Sequence, residues 1–253
     1  MINAVVLSAG RGKRLTPLTD THPKCLVRLH GRTLLEWQMR ALCACGVTRV
    51  SVVTGFGAAD VACALRTFGL PMEARAIFNP FYAVADNIGS CWAAADAFGA
   101  DTVLINGDAV FEPAVLERVL AADGSDIAVT VSAKRDYDAD DMKVRVCGDR
   151  LTRISKKLAG AVSGEAIGMI RFRRGGSARF LAALRAVLET PEGTGLWYLS
   201  VIDALAREGG VGVTRVDGLT WAELDFPVDL RAAEAAARVV AARLFADAPA
   251  LAL

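Results

Sequence analysis

The residues with the clearest chemical potential lie at the start of the chain. An apolar run at residues 3–8 leads into a loop that contains Gly10 and Gly12. Glycines let backbone N–H groups approach phosphate oxygens, and fixed cations nearby offset the phosphate charge. This combination indicates a cradle for a nucleoside triphosphate. The cations in and after the loop are Arg11, Lys13, Arg14 and Lys24.

The loop does not match two better-known glycine motifs. A Walker A loop requires a glycine where Leu7 stands and a serine or threonine where Arg14 stands. A dinucleotide fingerprint that begins at Gly10 requires a small third residue where Leu15 stands. The sequence therefore predicts a phosphate site that is neither of the kinase type nor of the nicotinamide type.

Two acidic residues follow apolar segments, where ligands bind in an open α/β sheet. Asp108 comes after residues 102–106, and Asp225 ends the segment 219–225. One carboxylate from each, with waters and phosphate oxygens, would complete the octahedral shell of Mg²⁺. For Asp108 the alternative is a turn or N-cap aspartate, and Asp229 is interpreted as a first-turn helix acid.

The elements that must position these residues alternate between strands and helices. This alternation predicts an α/β fold, with a mixed, mostly parallel sheet covered by helices on both faces and a small β-hairpin. The predicted strands lie near 3–8, 49–54, 73–78, 102–106, 127–132 and 165–172, with the hairpin near 143–155. The predicted helices lie near 33–45, 57–68, 87–98, 113–122, 177–189, 196–208 and 228–245.

Composition excludes several classes of protein. The net charge of +1 over 253 residues gives no field that would attract nucleic acid. No apolar run is long enough for a membrane span or an export signal, so we expect a cytoplasmic protein. Six cysteines without a C-x-x-C pair indicate reduced thiols. With His22 and His30 as the only histidines, a His-rich zinc site or a Ser-His-Asp triad is not expected.

Residues for a second substrate are less sharply indicated. Aromatic side chains can enclose a quaternary ammonium group, or they can simply pack. Acids in the polar loop 135–143 can attract a primary amine or remain solvated, and Lys143 can bind a phosphate. The aromatic candidates are Tyr82, Trp197, Tyr198 and Trp221, and the acidic candidates are Asp138, Asp140 and Asp141.

The motif LSAGxGxRLxP at residues 7–17, with Pro23 and Lys24, resembles the signature of the sugar-phosphate-type nucleotidyltransferase superfamily. Within it, the chain is most similar to the short bacterial cytidylyltransferases that act on phosphocholine, inositol phosphate or phosphonates. The resemblance implies a single Rossmann-like nucleotidyltransferase domain over residues 1–253. The narrower likeness rests on residues 79–82, 87–90, 106–108, 165–168 and 221–225.

The resemblance also implies roles for individual residues. Arg14 and Lys24 would contact the phosphates, Asp108 and Asp225 would hold Mg²⁺, and Lys156 or Lys157 would face the acceptor phosphoryl group. The predicted nucleotide-binding set is Leu7, Ala9, Gly10, Arg11, Gly12, Thr54, Asn87, Ser90 and Asp108. The predicted acceptor-binding set is Glu165, Trp197, Tyr198 and Lys143.

Two residues depart from the family pattern. Ser8 replaces a usual alanine, and Phe226 stands where a threonine commonly follows the second metal aspartate. The resemblance further implies a nucleotide-binding half near 1–110, an acceptor-binding half near 111–230 and a C-terminal helix near 228–245, in a monomer or homodimer.

The expected reaction is attack of an acceptor phosphate or phosphonate oxygen on the α-phosphorus of CTP, with release of pyrophosphate. The attacking oxygen is already anionic, so no general base is needed, which agrees with the scarcity of histidine. One alternative is a sugar-1-phosphate or inositol-1-phosphate nucleotidyltransferase that uses CTP, UTP or dTTP. Another is a non-catalytic regulator that binds nucleotide.

Overall fold

The computed structural model describes residues 2–245, in which strands and helices alternate. The strands are β1 (Asn3–Ser8), β2 (Arg28–Leu29), β3 (Arg32–Thr33), β4 (Arg49–Thr54), β5 (Glu73–Phe78), β6 (Asp101–Asn106), β7 (Ala109–Phe111), β8 (Ile127–Ser132), β9 (Lys143–Cys147), β10 (Arg150–Ser155), β11 (Gly164–Arg173), β12 (Val211–Arg215) and β13 (Trp221–Glu223). The helices are α1 (Leu34–Ala44), α2 (Ala58–Thr67), α3 (Asn87–Ala93), α4 (Pro113–Ala121), α5 (Gly176–Leu188), α6 (Tyr198–Arg207) and α7 (Leu230–Leu244).

The main sheet has nine strands in the order β5-β4-β1-β6-β11-β8-β12-β10-β9. Strands β5, β4, β1 and β6 are parallel neighbours, and β11 runs antiparallel between β6 and β8. The predicted α/β fold with a mixed sheet is thereby confirmed. Since Ser8 pairs with Thr54 and Leu7 with Asn106, the carboxyl ends of β4, β1 and β6 meet at one edge.

The reversed direction of β11 brings acceptor-side residues to the same edge. Glu165 near its amino end pairs with Ser132 at the carboxyl end of β8. Residues that precede and follow the predicted hairpin therefore face the edge where β1 and β6 end. The hairpin itself is β9 and β10. Strand β10 pairs with β12 on its inner side, and the start of β9 also pairs with β11.

A short antiparallel pair outside the main sheet, β7 with β13, carries the two candidate metal residues. Ala109 pairs with Glu223, so Asp108 and Asp225 flank the two ends of this pair that lie together. The backbone N–H of Leu224 donates to the Asp108 carbonyl at 3.0 Å. The sequence predicts a strand at 219–225 but not its pairing with β7, and it does not predict β12.

Helix α7 packs on the fold through its small side chains. Ala233, Ala236 and Ala237 are buried against Trp37 and Leu224. The predicted C-terminal helix is therefore a docked element, and the apolar tail that follows it lies outside the described residues. All six cysteines are free thiols. Within residues 2–245, no helix has both the length and the apolar character needed to cross a bilayer.

Candidate active site

The basic glycine loop follows β1 and is shaped around the stem of Lys24. Gly12 has a φ of 74°, and a Cβ placed on it would lie 2.8 Å from Cβ of Lys24. Only glycine allows both this backbone conformation and this close approach. A Cβ on Gly10, by contrast, would meet no atom within 4 Å. The loop is therefore tight on its inner side and open on the side where a ligand would lie.

The neighbouring loop residues are held by contacts of their own. The Leu7 carbonyl accepts from the N–H of Gly107 at 2.9 Å, and the carbonyl of the buried Ala9 accepts from the N–H of Phe56 at 3.1 Å. Arg11 is exposed, and its guanidinium lies 5.0 Å from the centre of the Phe56 ring. These contacts join the loop to the ends of β4 and β6.

Lys24 lies between the two predicted metal ligands. Its Nζ donates to Oδ2 of Asp108 at 2.9 Å and also to Oδ1 of Asp225. The three side chains are 14%, 23% and 36% exposed, so water screens this cluster only in part. Sequence reasoning predicted each residue of the cluster, and the structure brings all three together.

The surroundings favour the charged forms of Lys24 and Asp225. Burial disfavours the charged form of Lys24, but the charges of Asp108 and Asp225 outweigh it and raise the pKa of Lys24. Burial opposes ionisation of Asp225 as well, yet the Lys24 charge leaves the pKa of that carboxyl lowered. The pKa of the neighbouring Glu223 is raised well above its usual value by burial and by the charges of the two aspartates. One lysine thus lies between two carboxylates.

One oxygen of Asp108 shows that the cluster fits a cation. Lys24 occupies Oδ2, whereas Oδ1 is buried and has no hydrogen-bond partner. Buried carboxylate oxygens are rarely left without a partner. The described residues contain no group of three or more His, Cys, Asp or Glu side chains arranged for a metal. Two carboxylates would leave the other octahedral positions to phosphate oxygens and waters.

The departure from the family pattern at Phe226 has a local explanation. The guanidinium of Arg14 lies over the Phe226 ring at 5.1 Å from its centre, which is a cation–π contact. Arg14 is half exposed, and its Nη1 is 3.9 Å from Oδ1 of Asp140. Phe226 therefore supports Arg14 at the mouth of the site.

These groups open onto a cavity of about 180 Å³. Six residues of the predicted catalytic, nucleotide, acceptor and metal sets line it, and the others come from β6, the loop after β8, β11, α6 and β13. Its lining is Arg14, Asn87, Asn106, Asp108, Asp140, Met142, Lys156, Ala166, Gly168, Trp197, Leu199, Glu223 and Asp225.

Of the two adjacent lysines, Lys156 faces this cavity. Its Nζ is 3.2 Å from Oδ1 of Asp140 and 4.5 Å from the centre of the Trp197 ring. Lys157 is exposed and lines a neighbouring cleft of about 350 Å³ instead. The indole Nε1 of Trp197 donates to Oδ2 of Asp86 at 2.7 Å. The face of the Trp197 ring is therefore already covered by the ammonium group of Lys156.

Tyr198 does not face an acceptor, because it has no exposed surface. Its hydroxyl donates to Oδ1 of Asn106 and its backbone N–H donates to Oδ1 of Asn87, each at 2.9 Å. Predicted as an acceptor-binding residue, Tyr198 instead orients two asparagines that line the cavity. Tyr198 is the first residue of α6, and from this position the sequence alone could not decide whether its side chain is buried or exposed.

Two of the predicted nucleotide residues are also buried behind the cavity wall. The Ser90 hydroxyl accepts from Nδ2 of Asn79 at 3.1 Å, and the Thr54 hydroxyl donates to the Ile77 carbonyl at 3.3 Å. Both side chains are at most 5% exposed. In the described structure, they brace the strand ends and do not line the cavity.

The loop after β8 is held by ion pairs that involve Glu165. Nζ of Lys134 lies 2.5 Å from Asp141 and 3.0 Å from Glu165. Burial raises the pKa of Glu165 to about 7, although Lys134 opposes this shift. Lys143 donates to the Lys156 carbonyl at 3.0 Å, so its ammonium group also holds the loop. Glu165 and Lys143 therefore support the acceptor side from behind.

Several lining residues were missed by sequence reasoning. Gly168 lies inside β11 with a φ of 66°, and a Cβ on it would lie 2.6 Å from the Asn106 amide. A glycine inside a strand signals the close approach of another group, so this signal was present in the sequence. Asn106 belongs to the motif at 106–108 that carries part of the family resemblance, but no site role was predicted for it, and Met142 and Leu199 carried no signal.

The chain is similar to several known proteins. Residues 4–189 match the model of the MobA-like NTP transferase domain family. Over 246 residues the chain is 32% identical to the CMP-5'-(3-aminopropyl)phosphonate synthase of Streptomyces rubellomurinus, covering 92% of this chain and 38% of that protein. Over 123 residues it is 32% identical to the 2-aminoethylphosphonate cytidylyltransferase of Lancefieldella rimae, covering 44% of this chain and 47% of that protein. The chain thus spans less than half the length of either relative.

Among solved structures, the inositol-1-phosphate CTP transferase from T. maritima superposes with a TM-score of 0.80. The superposition covers 98% of this chain and 97% of that one at 22% identity. At 22% identity, this superposition shows that the two chains share a fold, and nothing more specific.

Proposed function

The chain belongs to the MobA-like NTP transferase domain family, and we propose that it transfers CMP from CTP to a small phosphonate or phosphorylated acceptor, with release of pyrophosphate. The observation that carries the proposal is the cluster of Lys24, Asp108 and Asp225 beside the open glycine loop. A base for proton abstraction is not required, because the attacking oxygen is already anionic.

In this proposal Asp108 and Asp225 would hold Mg²⁺, and the buried Oδ1 of Asp108 has no other partner among the described residues. When bound, the ion would neutralise charge on the triphosphate and on the leaving pyrophosphate. The ammonium group of Lys24 would then be free to contact the phosphates. Because Gly12 packs against Cβ and the next two carbons of Lys24, the stem stays in place and only the ammonium end moves.

Arg14 and Lys156 hold the two reacting anions on the other side of the cavity. Asp140 lies between them, 3.9 Å from Arg14 and 3.2 Å from Lys156. Phosphate and phosphonate oxygens bind such cations more favourably than a half-exposed carboxylate does, because they carry more charge. Substrate binding therefore releases Asp140 from both cations.

The released Asp140 favours an acceptor that carries its own ammonium group. A zwitterionic aminoalkylphosphonate would bind Lys156 through its phosphonate and Asp140 through its amine, so both halves of the existing ion pair would gain a new partner. Lys156 covers the Trp197 ring and Tyr198 is buried, so these two side chains do not offer an aromatic cage for choline. The named relatives that act on aminoalkylphosphonates agree with this choice.

Pyrophosphate release with Mg²⁺ tests the proposal directly. CTP, UTP, ATP, GTP and dTTP are crossed with 2-aminoethylphosphonate, ethylphosphonate, phosphocholine, inositol 1-phosphate and hexose 1-phosphates. We expect release with CTP, and 2-aminoethylphosphonate should exceed ethylphosphonate in kcat/KM by about tenfold or more, since a charge-assisted contact is lost. The Asp140→Asn variant should narrow that ratio.

Other outcomes separate the alternatives. Activity confined to UTP or dTTP with a hexose phosphate would replace the substrate assignment and keep the metal site. Nucleotide binding without pyrophosphate release for any acceptor would indicate a regulator and overturn the proposed reaction.

A further inference from the structure

The turn that carries Asp108 lies directly against β1. Gly107 passes so close to β1 that a Cβ on it would lie 2.4 Å from both the Leu7 carbonyl oxygen and Oγ of Ser8. A glycine at this point is sterically required, but it leaves the backbone free to adopt other conformations. Backbone hydrogen bonds from Gly107 to the Leu7 carbonyl and from Leu224 to the Asp108 carbonyl hold the turn from two sides, and a side chain from α1 adds a third constraint.

Gln38 supplies that constraint from α1. Its Nε2 donates to the Asn106 carbonyl at 2.8 Å and to the Ala109 carbonyl at 2.7 Å. These two carbonyls flank Gly107 and Asp108, so one amide group spans the whole turn. Both N–H bonds of the amide are used, and the flipped amide would place its oxygen against two other oxygens. The orientation of Gln38 follows from its partners.

The amide of Gln38 is buried, and within the described structure one of its polar atoms has no hydrogen-bond partner. Gln38 is 1% exposed, and its Oε1 has no hydrogen-bond partner among the described atoms. A buried oxygen without a partner destabilises a fold, whereas an apolar side chain of the same size would leave no such oxygen. In the structure, the two hydrogen bonds to the carbonyls of the Asp108 turn offset the destabilisation by the unpaired Oε1.

The helix that presents Gln38 is itself firmly held. Thr33 caps α1 by accepting from the N–H of Glu36 at 3.1 Å, and the indole of Trp37 donates to the Leu29 carbonyl at 2.7 Å. Leu35 and Met39, on either side of Gln38, are buried in the core. The amide is therefore fixed relative to the main sheet.

The constraint reaches Asp225 through the backbone. The Asp108 carbonyl accepts from the N–H of Leu224, the residue before Asp225. We propose that Gln38 is a positioning residue that sets Asp108 at the distance from Asp225 and Lys24 that a divalent cation requires. This inference rests on the proposed metal site and assigns to Gln38 no contact with any substrate.

Manganese binding tests the inference apart from turnover. Mn²⁺ affinity is measured by electron paramagnetic resonance in the presence of CTP, without acceptor, for the wild type, Asp108→Asn and Gln38→Met. Methionine has a similar length but no donor, so the two carbonyls lose their partner. We expect Gln38→Met to bind Mn²⁺ about 10- to 100-fold more weakly, the range usual for residues that orient metal ligands.

A second variant and a control complete the test. Gln38→Asn keeps both donors but withdraws them by one methylene, so it should also bind Mn²⁺ more weakly, and it decides the matter if Gln38→Met does not fold. Thr130→Val alters another buried polar side chain without a partner, in β8, and should bind Mn²⁺ as the wild type does.

The possible failures are distinguishable. Wild-type affinity in both Gln38 variants would overturn the role of Gln38 and leave the metal site standing. Equal Mn²⁺ binding by the wild type and Asp108→Asn would overturn the metal site itself, and the inference with it.

Discussion

The two sides of the cavity are built differently. On the nucleotide side, Asp108 and Asp225 lie on segments whose backbones are hydrogen-bonded to their neighbours, and Lys24, at the start of a short 3-10 turn, bridges the two carboxylates. On the acceptor side, Arg14 and Asp140 are each about half exposed and meet at 3.9 Å. The backbone contacts of the nucleotide side do not depend on a ligand, whereas the ion pairs of the acceptor side, like the ammonium group of Lys24, can be exchanged for a ligand. In the proposed reaction, the fold therefore positions the two carboxylates, and replaceable ion pairs select the acceptor.

The largest effect on turnover is expected from substitutions on the nucleotide side. Asp108→Asn and Asp225→Asn should each lower turnover by about 10³-fold or more, since the loss of a metal ligand should exceed the 10²–10³ of one preorganised donor. Unfolding temperature should change little, because Lys24 keeps one carboxylate partner. Pyrophosphate release at saturating Mg²⁺ measures the effect, with the exposed Asp60→Asn as control. Turnover near that of the wild type in both variants would remove the metal assignment.

Lys24→Met should lower turnover by about 10²–10³-fold, because its charge meets the phosphates as they rearrange. It should also make stability depend on metal, since two partly buried carboxylates then share no counter-ion. We expect Mg²⁺ to raise the melting temperature of Lys24→Met more than that of the wild type or of Lys13→Met, which alters an exposed lysine of the loop. Thermal unfolding in EDTA and in Mg²⁺ makes the comparison, and equal Mg²⁺ shifts would contradict it.

A smaller effect is expected on the acceptor side, where adjacent lysines provide a matched pair. Lys156→Met should lower kcat/KM for the acceptor about tenfold or more, mainly through KM, while the KM for CTP changes less. Lys157→Met, whose side chain lies in the neighbouring cleft, should stay within about twofold of the wild type. Steady-state kinetics with each substrate varied in turn measures both. A larger loss in Lys157→Met would reverse the assignment of the two lysines.

The smallest effect is a pH dependence of stability at Glu165. Its pKa of about 7 is raised above the usual value, so folding favours the protonated carboxyl. This contribution is complete below about pH 4.5 and is lost as the pH rises through about 7. Between pH 5 and 8, the wild type should therefore lose unfolding free energy relative to Glu165→Gln, on the order of 1–3 kcal/mol. The lowered pKa of Asp141 acts below this window. Urea titrations at both pH values test this, and parallel profiles would refute it.

Much of the nucleotide side of the cavity was predictable from the sequence, whereas less of the acceptor side was. The strands β1, β4, β5 and β8 have the predicted bounds; β1, β4 and β8 are mostly apolar runs that end in turn residues. Because parallel strands end at a common edge, the position of Asp108 beside the loop after β1 followed from the sequence. The meeting of Asp108 with Asp225 was also predicted, but it arises from the pairing of β13 with β7 outside the main sheet.

The rest depended on contacts that no local pattern encodes. The pairing of β7 with β13 involves three residues on each strand, too few for a periodic signal. The burial of Tyr198 depends on Asn87 and Asn106, which lie about a hundred residues away in the chain. In the sequence, Gln38 is one polar residue of an amphipathic helix. Only the structure shows that its amide donates to the turn that carries Asp108.

The pairing of β7 with β13 also has a consequence for how the protein comes into being at the ribosome. Asp108 reaches its place with the first half of the chain, which can begin to fold while the remainder is still being synthesised. Its partner Asp225 follows β13, which is synthesised more than a hundred residues later. The two-aspartate cluster can therefore form only after most of the chain has been synthesised and β13 has paired with β7.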